Sequence, residues 1–157
     1  MRILAIAASA AFLSLSSLAF AADLSRTEYK AAVEPICQTN TKANERILKN
    51  VKTLVRKGKL KPAAAKFIKA GAALRKAHNQ LRVVPQPTMD EAKLAKWLRY
   101  VKIEAGLFTR VGKKLKAGQK GAAQRLVNKL TTNANLANST VLAFNFRFCR
   151  FEPSKFT

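Results

Sequence analysis

Leu130–Phe146, LTTNANLANSTVLAFNF, carries no charged residue in a chain of which 24% is Asp, Glu, Lys or Arg. Such a run is either a membrane segment or the most enclosed element of a water-soluble fold. The stretch Thr131–Asn138 holds five Asn or Thr residues, too many for a lipid interior, so the second reading stands. The run leads into Arg147-Phe148-Cys149, and the second cysteine of the chain is Cys37.

The compartment follows from the other end of the sequence. Arg2 supplies a positive start, Ile3–Leu18 an apolar core, and Ala19-Phe20-Ala21 an A-x-A cleavage signature, so residues 1–21 read as an export signal and 22–157 as a single mature domain of 136 residues. No cysteine follows the apolar run and no twin arginine precedes it, so neither the lipoprotein nor the twin-arginine route is suggested. Beyond the signal, no membrane-crossing segment is expected. Export leads to an oxidising compartment, periplasmic or extracellular, where two cysteines far apart in sequence read as the disulfide Cys37–Cys149.

Helical periodicity accounts for the body of the chain. Ser25-Arg26-Thr27-Glu28 has capping-box spacing and opens a first helix through Tyr29, Val33, Cys37, Leu48, Val51 and Val55 to Gly58, which Pro35 should kink or divide. Pro62 begins a second helix that ends before Pro85. Thr88-Met89-Asp90-Glu91 forms a second capping box, opening a third helix with Leu94, Trp97, Leu98, Val101, Phe108, Val111 and Leu115, which Gly118 ends. A fourth helix carries Leu126, Val127, Leu130, Val141, Phe144 and Phe148 and closes near Phe151. The expectation is an all-α, up-down-up-down four-helix bundle stapled by one disulfide. In it the first and last helices lie antiparallel, placing Asn44 and Leu48 near Leu142 and Asn138. Val51–Phe67 and Val111–Leu126 share a helix end, a Lys/Gly turn and an Ala-rich helix start, a likeness that generic composition explains better than duplication.

Charge is distributed unevenly. The full chain has a formal net charge of +22, and +21 remains without residues 1–21. Arg46–Met89 contains 12 Lys or Arg and no acid, and Ala105–Phe151 contains nine and no acid. Bundle topology brings Arg56, Lys57, Lys59 and Lys61 to the same end as Lys113, Lys114, Lys116 and Lys120, while Asp23, Glu28, Glu34, Asp90, Glu91 and Glu152 collect mostly at the other. Part of this pattern is helix-dipole complementarity. The functional reading is a pole that contacts an anionic envelope polymer or an anionic lipid surface; the competing reading is a solvated surface that serves solubility alone. Aromatic residues, which base stacking would need, do not interleave these cations, so sequence-specific nucleic acid is not the expected partner.

A second concentration is uncharged. Asn40 and Asn44 on the first helix and Asn138 on the last form a polar layer that fixes register or, in the alternative reading, lines a small-ligand site. Catalytic patterns are missing: Glu45 and Glu104 lie at similar depth, but each is followed three residues on by leucine and not histidine, and the single histidine, His78, reads as an exposed helix-end residue. No cofactor is implied, and the reading is that of a non-enzyme.

Cys37-Gln38-Thr39-Asn40, Lys96-Trp97-Leu98 and the run from Ala137 through Phe144-Asn145-Phe146-Arg147-Phe148-Cys149 together resemble small exported bacterial two-cysteine helical proteins, a group of uncharacterised function. The resemblance implies the disulfide and the bundle, and it brings no activity.

Overall fold

The computed structural model describes residues 23–152; the export segment lies outside them. Within this range the chain is helical, with no strand. Helix α1 (Arg26–Leu48) opens on the expected capping box: the Ser25 hydroxyl accepts from the Glu28 N–H at 3.2 Å, and the Glu28 carboxylate accepts from the Ser25 N–H at 2.8 Å. Pro35 neither ends nor divides α1. Ala31, whose carbonyl loses its helical donor to the proline, is exposed, so water can satisfy it. The break falls instead at Asn50, which adopts φ +63°, a left-handed conformation that asparagine tolerates. The short α2 (Val51–Arg56) follows it.

Helices α3 (Leu60–Leu81), α4 (Glu91–Lys116) and α5 (Lys120–Thr140) complete the up-down-up-down order, with α1 and α2 together forming its first leg. The second capping box is not made. Thr88–Asp90 is a 3₁₀ turn, and Thr88 gives both its N–H and its hydroxyl to Asp23 at 2.9 Å. Asp90 is drawn to Arg26 instead, which donates to it at 2.5 and 2.8 Å, tying the start of α1 to the start of α4.

Both turns at the opposite end are the same structure. Gly58 and Gly118 take φ +70° and +73°. After α2, the N–H groups of Gly58 and Lys59 reach Val55 and Leu54; after α4, those of Gly118 and Gln119 reach Leu115 and Lys114, all within 2.9–3.1 Å. These are two Schellman motifs, which require a residue free to adopt positive φ just past the helix end. The likeness of Val51–Phe67 to Val111–Leu126 therefore has a sufficient cause in turn chemistry.

The α3–α4 pair is the tightest in the molecule. A Cβ at Gly71 would lie 2.8 Å from the Ala105 carbonyl oxygen and 2.6 Å from Thr109 Oγ1, and one at Gly112 would lie 2.7 Å from the Ala64 carbonyl oxygen. Glycine at both positions lets the two backbones touch. Gly71→Ala is therefore expected to cost about 1–3 kcal/mol in urea unfolding, although alanine favours helix by about 1 kcal/mol. Gly106→Ala, on the same helix pair but with open space around it, is expected to stabilise. Equal responses at the two sites would refute the close crossing.

The fourth helix does not run to Phe151. It stops at Thr140, a 3₁₀ turn covers Leu142–Phe144, and Asn145 at φ +52° reverses the chain. Residues 145–152 then return as a strap: Lys30 donates to the Asn145 carbonyl at 2.6 Å, Glu34 accepts from the Arg147 and Phe148 N–H groups, and Cys149 bonds Cys37. Asn138 of α5 grips the strap from the other side, its amide donating to the Phe151 carbonyl at 2.8 Å and accepting the Phe151 N–H at 3.0 Å. Helix α1 packs on α3, α3 on α4 and α4 on α5, while α1 and α5 are joined mainly through this strap. The expected register of Asn44 and Leu48 against Leu142 and Asn138 is thus not formed, and Leu142 is exposed. Aromatic burial drives the reversal: Phe146 packs on Trp97 at 5.6 Å and Phe151 on Phe108 at 5.6 Å.

Candidate functional site

Because α2 ends where α3 begins and α4 ends where α5 begins, the two Schellman turns share one end of the bundle. Arg56, Lys57, Lys59, Lys61, Lys113, Lys114, Lys116 and Lys120 are all exposed there. Lys59 and Lys61 of one turn and Lys116 of the other line a common shallow recess of about 430 Å³. Among the described residues none of the eight forms an ion pair; the salt bridges found are those of Arg26 and Lys93 with Asp90, at the far end. Asp90 is held below the usual carboxylate range chiefly by its hydrogen bond from Arg26. This acid lies at the far end with cations of its own, and the cations at the basic pole are left facing solvent.

Arg56 and Lys120 also border a different feature. A groove of about 330 Å³ lies between α2 and α5. Sequence reasoning missed it. The only signal available was Asn50 itself, a left-handed-tolerant residue in an otherwise helical run.

The asparagine layer is divided. Asn40 and Asn44 hydrogen-bond each other at 3.3 Å and line a polar recess of about 250 Å³ with Arg147, Arg150 and Glu45, whereas Asn138 lies across the strap and is occupied by Phe151. Asn44 is buried, and its Oδ1 has no partner among the described residues. A fourth asparagine, Asn133, donates to the Tyr100 carbonyl at 3.0 Å, and beside it the buried Glu104 has an Oε1 without a hydrogen-bond partner among the described residues.

Glu104 is the one acid enclosed between helices without a cation. Burial pushes its pKa up to about 8, only partly opposed by Asn133. It stands one turn from Val101 and Phe108 on the apolar face of α4, a core position that the helical spacing alone reveals. His78 is half-buried and not exposed, sharing a recess with Arg75, Arg82 and Lys102; burial first, then the charges of Lys102 and Arg82, hold its pKa down against an opposing hydrogen bond with Asn79. Among the described residues no three His, Cys, Asp or Glu side chains cluster to hold a metal, and no helix is long and apolar enough to cross a membrane.

No family model, curated protein or solved structure matches this chain.

Proposed function

We propose that this is an exported, non-enzymatic protein that binds an anionic polymer or anionic envelope surface through its basic pole. The observation that carries the reading is the convergence of eight exposed cations from two sequence-distant turns on one end, with no acidic partner among the described residues. A patch of one sign raises the local concentration of the opposite charge and speeds its capture. The disulfide suits an oxidising compartment. A second reading, a carrier of a small polar ligand, is favoured by the unpartnered Asn44 Oδ1 in its recess, with Asn40 but without Asn138.

Retention on immobilised polyphosphate tests the first reading. Affinity is expected to fall on the order of 100-fold between 50 and 200 mM salt, as counterions released from several contacts demand. Reversing Lys59, Lys61, Lys116 and Lys120 to glutamate should abolish retention, whereas Lys96→Glu, an exposed change near the other pole, should leave most of it. Salt-independent or pole-independent retention would remove the proposal.

A further inference from the structure

The groove between α2 and α5 joins an apolar interior to a cationic rim at the pole where anions are proposed to bind. Its floor is Phe67 of α3 and Leu115 of α4; its walls are Val51 and Val55 of α2 and Ala123 and Val127 of α5. Arg56 and Lys120 stand at the mouth, both exposed and, among the described residues, without an ion-pair partner. At about 330 Å³ it lies at the lower end of the range of small-molecule pockets, room for part of a flexible chain and not for a rigid multi-ring ligand.

We infer that this groove binds a single-chain fatty acid, with the hydrocarbon chain laid over Phe67 and Leu115 and the carboxylate at Arg56 and Lys120. Two features select this occupant. Apolar walls favour burial of methylene groups in proportion to the area removed from water. The rim offers charge-assisted hydrogen bonds to a carboxylate, which a neutral or cationic amphiphile cannot accept in the same way. The chain's own residues 153–157, Pro-Ser-Lys-Phe-Thr, would bring a lysine to a rim that is already cationic, so charge complementarity favours the fatty acid over that segment. The inference rests on the reading that this pole faces anions and names a ligand for it.

Titration of the full mature chain with laurate by calorimetry tests the site. One molar equivalent is expected to bind, and dodecyltrimethylammonium, with the same chain and opposite charge, is expected not to. Arg56→Gln with Lys120→Gln should weaken laurate by about tenfold or more. Val55→Trp, at a half-buried wall position, should block laurate while leaving polyphosphate retention and helical circular dichroism unchanged. Equal binding of laurate and the ammonium amphiphile overturns the inference, as does laurate binding that Val55→Trp leaves intact. So does laurate binding that emerges only after truncation at Glu152, because the terminal segment is then the occupant. Failure of laurate with polyphosphate retention intact removes the groove ligand alone; loss of polyphosphate retention in the unmodified chain removes the reading of the pole.

Discussion

Removal of the Cys37–Cys149 disulfide by Cys149→Ser is expected to lower stability by about 4–5 kcal/mol and the melting temperature by about 10–20 °C. The bond closes a sequence separation of 112 residues, so breaking it returns a large loop entropy to the unfolded chain. In the folded state the strap keeps its other holds. Glu34 still accepts from two of its N–H groups, Asn138 still clamps Phe151, and Phe146 still stacks on Trp97. Helical circular dichroism well below the transition should therefore be unchanged, while thermal unfolding shifts. Trypsin adds a local readout, because Arg147 and Arg150 lie in the strap and are exposed. In the variant they should be cut before any site within the helices. A melting temperature equal to that of the oxidised protein would show that the closed loop constrains nothing in the unfolded state.

The same strap marks where sequence reading stops. Helix type, the Ser25–Glu28 capping box, the glycine stops and the cysteine pairing depend on neighbours in sequence or on simple elimination, and they were legible. The end of α5 was not. Val141, Phe144 and Phe148 continue the helical spacing, so nothing local opposes a helix to Phe151. What reverses the chain is distant: an apolar seat beside Trp97 and Phe108, and a carboxylate at Glu34 that satisfies two main-chain donors. At the other end of α1, Pro35 drew attention that Asn50 warranted. Part of proline's cost in a helix is the carbonyl it orphans one turn back, and here that turn faces water. The basic pole was legible because it depends on topology and on residues flanking turns. The groove was not, since it is a space between elements distant in sequence that no local spacing announces.

Glu104 gives the second large effect, and its sign is opposite to that of the other perturbed acids. Its pKa in the fold is raised from 4.5 to about 8 by burial, so between those values the folded state holds a proton that the unfolded chain releases. Stability contributed by the protonated carboxyl is fully present below pH 4.5, falls as pH rises, and levels off above about 8, a loss of about 4–5 kcal/mol. Glu28 and Asp90, whose pKa values are lowered by Ser25 and by Arg26 respectively, contribute stability that is lost only as pH falls into the acid range. The two trends place maximal stability on the mildly acidic side of neutrality. Glu104→Gln preserves the shape while removing the titration. Its urea midpoint is expected to be flat from pH 5 to 9, where that of the unmodified protein declines. The two should converge near pH 4 and differ by about 4–5 kcal/mol at pH 9. Parallel curves across this range would mean that Glu104 ionises without leaving its place, and that water or a cation reaches a carboxyl the packing of α4 against α5 otherwise encloses.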